Sequence, residues 1–217
     1  MRKERTRLIE ITDEALVRRI DGMHQLLQFR DTPPSEGKSY HILTNGNIDL
    51  LSVVMWLMTF WQEVDNLFLS AWTISYNDLL YVRDKIGEGS ISKFSLILGD
   101  VFKSRYKTEW KEVLKMLEEG KIGNVYLSKI HSKIVLFQSS DGKKVVVESS
   151  ANCNMNPRME QHTVTVSSEL YEFYLAHFEE KILEEETLNC ARNVVKLMND
   201  GQTDITSAER ASLFWED

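Results

Sequence analysis

The sequence of 217 residues has only two cysteines, three prolines and no long hydrophobic run. Two cysteines, Cys153 and Cys190, are too few for a disulfide framework, so we expect free thiols in a reducing compartment. The most apolar run, Leu50 to Trp61, is too short to cross a membrane. The basic N-terminus lacks a following apolar segment, which argues against a secretory signal. These absences predict a cytoplasmic protein without stable membrane association.

The sequence also lacks an excess of basic residues, because the net charge is −7. This balance argues against a generally basic nucleic-acid binder, although a local basic cleft can lie on an acidic protein. Hydrophobic residues make up 42% and charged residues 27% of the chain, as in ordinary soluble domains. The length fits one domain with modest extensions.

Short apolar strands alternate with helical periodicity through most of the chain. This alternation predicts an α/β fold in which helices flank a mixed sheet. The segment Ile48 to Val64 is apolar nearly all round and predicts a buried helix, and Asp141-Gly142 predicts the turn of a hairpin. A linker rich in proline and glycine, residues 31–38, separates an N-terminal helix from the strands. We therefore expect an N-terminal helical extension and linker at 1–38, a domain at 39–186, and a C-terminal helix and tail at 187–217.

Two residue pairs near the middle of the chain carry the chemistry. His131 and Lys133 are two positions apart, and Ser150 and Asn152 repeat this spacing after a predicted hairpin, with Glu160 further on. Residues two apart on a strand point to the same face. The set supplies a nucleophile or acid, a fixed positive charge and neutral hydrogen-bond donors. A metal-free phosphodiester site needs these groups.

The order H-x-K, S-x-N and a downstream glutamate resembles the phospholipase D superfamily, and the wider stretch resembles its single-motif, nuclease-type branch. The resemblance extends from Ser39 to Lys181 and implies a phospholipase D-like layered sandwich, with one domain per chain. Among five histidines, only His131 is followed two positions later by lysine. One chain then holds half a site, so the resemblance implies a homodimer with a shared site.

Each residue has a chemical role in such a site. His131 would attack phosphorus and form a phosphohistidine, while His131 of the second chain protonates the leaving oxygen. The Lys133 ammonium groups would offset charge on the non-bridging oxygens, to which Ser150 and Asn152 would donate hydrogen bonds. Glu160 would accept a ring N–H of a histidine, or it is simply a solvated residue before a strand. We expect neither a metal nor another cofactor.

Two positions depart from the family pattern. Gln138 stands where the family has an aspartate, and Ser149 replaces a glycine, where a side chain crowds the phosphate pocket. Ser149 and Arg158 are weaker candidates for substrate binding, and Arg158 fits a surface ion pair equally well. Cys153, beside Asn152, is predicted to be a small buried thiol.

Two further patterns have plain structural interpretations. Four tryptophans lie in apolar segments and are predicted to belong to the core: Trp56, Trp61, Trp72 and Trp110. Four lysines recur at every fourth residue, which predicts one helix face: Lys103, Lys107, Lys111 and Lys115. Glutamates interleave with these lysines and favour an ordinary solvated face over a face that binds phosphates.

The leading interpretation is a metal-independent phosphodiesterase, a hydrolase that acts as a DNA endonuclease. A first alternative is a phospholipase D-type hydrolase of a lipid or small phosphodiester, which the negative charge favours. The lack of a basic amphipathic helix opposes a lipid substrate. A second alternative is a catalytically degenerate nucleic-acid-binding or regulatory module, suggested by Gln138 and Ser149.

Overall fold

The computed structural model describes residues 14–154 and 158–182. Within these ranges no helix is long and apolar enough to cross a membrane. The helices are α1 (Glu14–Phe29), α2 (Leu50–Met58), α3 (Tyr76–Gly87), α4 (Phe102–Arg105), α5 (Lys107–Glu118) and α6 (168–182). The strands are β1 (Ser39–Thr44), β2 (Val64–Ala71), β3 (Phe94–Gly99), β4 (Asn124–Ser128), β5 (Ile134–Ser139), β6 (Lys144–Ser149) and β7 (Glu160–Val166). The predicted C-terminal segment 187–217 lies outside the described residues.

All seven strands form one sheet in the order β1-β7-β6-β5-β2-β3-β4. Strands β2, β3 and β4 are parallel, and the other neighbouring pairs are antiparallel. Strands β5 and β6 form the predicted hairpin, where Gly142 takes the φ of +85° that its turn requires. The mixed sheet flanked by helices confirms the predicted α/β fold class.

The main core lies between one face of the sheet and its helices. Every residue of α2 is buried, as its apolar sequence predicts, and Asp49 caps the helix by accepting from the backbone N–H of Ser52 at 2.8 Å. Helix α1 packs on α2, and α3 packs on α5. Sheet residues of this core include Leu67, Val135 and Phe137.

The lysine repeat does not form one helix face. A break at Tyr106, with φ −116° and ψ 66°, separates the single turn of α4 from α5. Lys103 therefore lies in α4, whereas Lys107, Lys111 and Lys115 lie in α5. The prediction of one continuous stripe is wrong for Lys103, because periodicity alone does not reveal a break between two adjoining helices.

The described chain divides into two compact units, one ending at Glu172 and the other beginning at Phe173 within α6. The sheet belongs to the first unit. In the second unit the rings of Tyr174 and Phe178 stack, with their centroids 6.2 Å apart.

The strand directions place seven strand termini at one edge of the sheet, here called the upper end. It comprises the C-terminal ends of β1, β2, β3, β4 and β6 and the N-terminal ends of β5 and β7. Helices α2 and α3 also begin at this end, because they follow β1 and β2. Loops at the upper end therefore meet, although they are distant in sequence.

Candidate active site

The five residues predicted to be catalytic lie at the upper end. His131 and Lys133 precede β5, which begins at Ile134, so the prediction that they lie within a strand is wrong. Ser150 and Asn152 follow β6 directly. Glu160 is the first residue of β7. The antiparallel order β5-β6-β7 brings the three segments side by side.

An open pocket of about 380 Å³ lies among these segments. This volume suits a small ligand group. Its lining residues are His131, Ser132, Lys133, Ile134, Glu148, Ser149 and Ser150. In the described ranges no three histidine, cysteine, aspartate or glutamate side chains are grouped as potential metal ligands.

Lys133 is held against His131. The Lys133 side chain is buried, with 6% exposure, whereas His131 is exposed. The Nζ atom of Lys133 donates to the His131 carbonyl at 2.9 Å and lies 2.9 Å from Nδ1 of the His131 ring. Because an ammonium only donates, this contact requires a lone pair on Nδ1. Burial lowers the pKa of Lys133, and the charge of Glu160 opposes this shift.

Trp72 joins two of the predicted catalytic residues. Its ring centroid lies 5.7 Å from that of His131, and its backbone N–H donates to Oδ1 of Asn152 at 3.1 Å. The sequence predicts Trp72 in the core, but the residue is only partly buried and lies outside the core cluster. Trp72 reaches the upper end because it follows β2 directly, and no sequence pattern indicated its contact with His131.

Ser150 and Glu160 contact each other. The exposed Ser150 hydroxyl donates to the Glu160 carboxylate and accepts from the backbone N–H of Gln161 at 3.0 Å. Among the described residues, the Glu160 carboxylate accepts from a serine and not from a histidine. The predicted bond from a histidine to Glu160 therefore stays a prediction for a site with two chains.

The loop after β6 is anchored by the starts of two helices. The Asn152 carbonyl accepts from the backbone N–H of Leu50 at 3.4 Å, and the Cys153 carbonyl accepts from that of Ser75 at 2.9 Å. Cys153 is fully buried, as predicted. Because Trp72 binds Oδ1 of Asn152, the amide NH2 is the end of that side chain that could donate to a phosphate.

Ser149 contacts His162, a histidine that no sequence pattern identified as part of the site. Its hydroxyl lies 2.9 Å from Nδ1 of His162 and accepts from the backbone N–H of Ala151 at 2.8 Å. His162 is 1% exposed, and its Nε2 donates to the Ile48 carbonyl at 3.3 Å. Ser149 has no positive φ, so the backbone at this position accommodates a serine in place of glycine without strain.

The other two positions lie apart from this cluster. Gln138 is in β5 opposite Lys144, towards the lower end of the strand. It is therefore separated from His131 and Lys133, which precede the upper end of β5. Arg158 is exposed in the loop before β7.

The buried His162 predicts a pH dependence of stability. Burial lowers the pKa of His162, whereas the Ile48 carbonyl and the charges of Asp49 and Glu160 act in the opposite direction. As the pH falls, His162 in the unfolded chain therefore takes up a proton near the ordinary histidine pKa of about 6.5, whereas His162 in the folded chain does so only at a lower pH. The free energy of unfolding thus keeps the contribution of neutral His162 above a pH of about 6.5 and loses it below, by at most about 1.4 kcal/mol per pH unit.

Urea unfolding at about pH 7.5 and about pH 5 measures this loss. The His162→Gln variant should lose less stability between these values than the wild type, because glutamine does not titrate. Any stability that the substitution itself removes is lost at both pH values, so it cancels in this comparison. Equal losses in both proteins would show that His162 does not resist protonation.

Comparisons with known proteins add a fold relationship. No protein-family model and no curated protein matches the sequence. The fold resembles polyphosphate kinase from Porphyromonas gingivalis, with a TM-score of 0.51 and 16% identity over 76% of this chain and 32% of that chain. This chain thus spans about a third of the kinase. The likeness supports the α/β fold.

Two weaker structural matches have TM-scores below one half. The archaeal chromatin protein TrmBL2 has a TM-score of 0.45 and 14% identity over 79% of this chain and 63% of that chain. Phosphatidylserine synthase from Haemophilus influenzae has a TM-score of 0.44 and 11% identity over 66% of this chain and 38% of that chain.

Proposed function

We propose that this protein is a metal-independent phosphodiesterase that cleaves DNA as an endonuclease, through a phosphohistidine on His131, at a site shared by two chains. The observation that carries the proposal is the convergence of the H-x-K and S-x-N segments with Glu160 at the upper end. An exposed histidine there lies beside a buried lysine, and both line an open pocket.

The first chemical step transfers the phosphoryl group to the enzyme. A ring nitrogen of His131 bonds to phosphorus while the bond from phosphorus to the leaving oxygen breaks. The protonated His131 of the second chain gives its proton to that oxygen. Water then attacks the phosphohistidine, the phosphorus–nitrogen bond breaks, and the second His131 takes the proton from water.

Lys133 supplies charge where the phosphate is expected. Its ammonium donates to the ring and carbonyl of His131. A phosphate is a stronger acceptor than a neutral imidazole, so substrate would draw the ammonium onto a non-bridging oxygen and release the ring for attack. The amide of Asn152 and the hydroxyl of Ser150 would bind the same oxygens, with Glu160 orienting Ser150.

A second chain would complete the acid–base pair. Segment 129–133 holds one histidine, His131. The nearby His162 is buried, with Nδ1 in contact with the Ser149 hydroxyl and Nε2 in contact with the Ile48 carbonyl. A homodimer with a two-fold axis at the pocket would add a second His131 and a second Lys133. This symmetric site matches the two catalytic roles that the reaction requires.

Cleavage in the presence of EDTA tests the proposal. Plasmid DNA and single-stranded DNA are incubated with wild-type protein, with His131→Ala, and with His177→Ala as an exposed-histidine control. We expect nicking by the wild type and the control and a loss of at least about 1,000-fold in His131→Ala, because the nucleophile is absent.

Other outcomes would redirect the assignment. Strict dependence on added divalent metal would contradict the mechanism. Release of a headgroup from phosphatidylcholine vesicles without DNA cleavage would favour a lipid substrate. DNA binding without turnover, equal in wild type and His131→Ala, would favour a binding module.

A further inference from the structure

Two neighbouring loops at the upper end lead from His131 towards the β4 edge of the sheet. One joins β3 to α4 and the other joins β4 to β5. The backbone N–H of Asp100 donates to the Ser128 carbonyl at 2.9 Å, which ties the loops together. Trp72 lies between these loops and the site. Its ring is beside His131, and its carbonyl accepts from the backbone N–H of Gly99 at 3.3 Å.

Three exposed cations lie on these two loops and the helix turn that follows. They are Lys103, Arg105 and Lys129, here called the basic rim. No carboxylate of the described residues forms an ion pair with any of the three. Lys103 lies 5.9 Å from the ring centroid of Trp110. Asp100 is the one acidic residue in segments 100–105 and 129–133.

The local charge is opposite to that of the whole chain. The basic rim is positive, whereas the net charge of the protein is −7. On the other side of His131, strands β6 and β7 present Glu148 and Glu160, and the loop before β7 adds one exposed cation, Arg158. An extended anion that places one phosphate at His131 therefore experiences stronger attraction on the β4 side than on the β7 side.

We propose that the basic rim binds the phosphates of a nucleic-acid strand next to the phosphodiester at His131. The proposal rests on the proposed function and identifies the residues that hold the polynucleotide beside the bond to be cleaved. Neighbouring strands are about 4.8 Å apart, so β3 lies roughly 10 Å from β5. A small phosphodiester does not span that distance, but a strand several nucleotides long does. Clustered cations beside a site are the usual means of tracking such a backbone.

The same residues fit a membrane surface poorly. Binding to a bilayer interface needs exposed apolar side chains beside the cations. Phe102, in the middle of the basic rim, is fully buried. The large exposed apolar residues of the described chain, such as Leu43 and Met159, lie outside these two loops.

A pair of matched variants tests the basic rim. One replaces Lys103, Arg105 and Lys129 with glutamine. The control replaces Lys93, Lys111 and Lys115, which are exposed at the lower end of β3 and on α5, and so has the same change in net charge. Binding of a fluorescent single-stranded oligonucleotide of about 20 nucleotides is measured in EDTA, with His131→Ala in both proteins to prevent cleavage.

We expect the rim variant to raise the Kd at least tenfold in about 50 mM salt and to reduce the slope of log K against log salt by about 2, since each lost phosphate contact contributes about 0.7. The control should change the Kd less than about threefold. Equal weakening in both variants, or unchanged binding in the rim variant, would overturn the proposal. Stronger competition by polyphosphate or anionic vesicles than by unlabelled oligonucleotide would also overturn it.

Turnover separates this proposal from the proposed function. With His131 intact, the rim variant should lose at least about tenfold more kcat/KM on an oligonucleotide than on bis(p-nitrophenyl) phosphate, a substrate too small to reach the rim. If no protein hydrolyses either substrate, the proposed function fails, while the binding measurement still decides whether the basic rim holds nucleic acid.

Discussion

A dimer with one wild-type chain and one His131→Ala chain should cleave DNA at least about 100-fold more slowly than the wild-type dimer. In the shared site one His131 is the nucleophile and the other is the acid. Removing either leaves a step without its catalyst. A general acid alone contributes about 100-fold to 10,000-fold in rate, so one remaining histidine does not sustain half of the activity.

The structure makes this substitution a clean probe of function. His131 is exposed, and among the described residues its ring lies beside Lys133 and Trp72 at the upper end. Loss of an exposed side chain changes stability little. The mixed dimer should therefore fold and associate like the wild type, which a matching melting temperature would verify.

Co-expression with two affinity tags, followed by sequential purification, provides the mixed dimer directly. A mixed dimer that carries His177→Ala in one chain is the control, because it keeps both copies of His131. About half of the wild-type rate in the His131→Ala mixed dimer would show that each chain works alone, which contradicts the shared site. Failure to recover any doubly tagged dimer would contradict the dimer itself.

Much of the fold follows from local patterns in the sequence. The apolar run of α2 predicts a buried helix, and Asp141-Gly142 predicts the turn between β5 and β6, because both signals act over a few residues. The break at Tyr106 was not predictable from lysine spacing, since an α4–α5 junction preserves the periodicity on either side.

The candidate site was predictable only in part. Spacing identified His131 and Lys133, although it placed them in a strand that begins later. The contacts of Trp72 and His162 were not predictable, because they depend on strand order. Trp72 reaches His131 only because β2 lies beside β5, and His162 reaches Ser149 only because β7 pairs with β6.

The pKa of Lys133 was likewise not predictable from the sequence pattern. A lysine in an H-x-K pattern is expected to supply charge, but its pKa depends on surroundings that the pattern does not contain. In the structure, burial lowers the pKa of Lys133, and Glu160 from a different strand opposes the shift. The electrostatics of the site are therefore a property of the assembled upper end.

The proposed mechanism requires a covalent bond between His131 and phosphorus, and trapping that adduct provides a direct test. An oligonucleotide labelled internally with radioactive phosphorus is mixed with the dimer in EDTA, and the reaction is stopped in alkali during the first turnover. Phosphohistidine survives alkali and is hydrolysed in acid. The His131→Ala dimer is treated in parallel, with His177→Ala as the control.

We expect a protein-bound label that acid removes in the wild type and in His177→Ala, and no label in His131→Ala. Mass spectrometry should place the modification on His131. A label that persists in His131→Ala, or one that survives acid as a phosphoserine on Ser150 does, would contradict the assignment of the nucleophile.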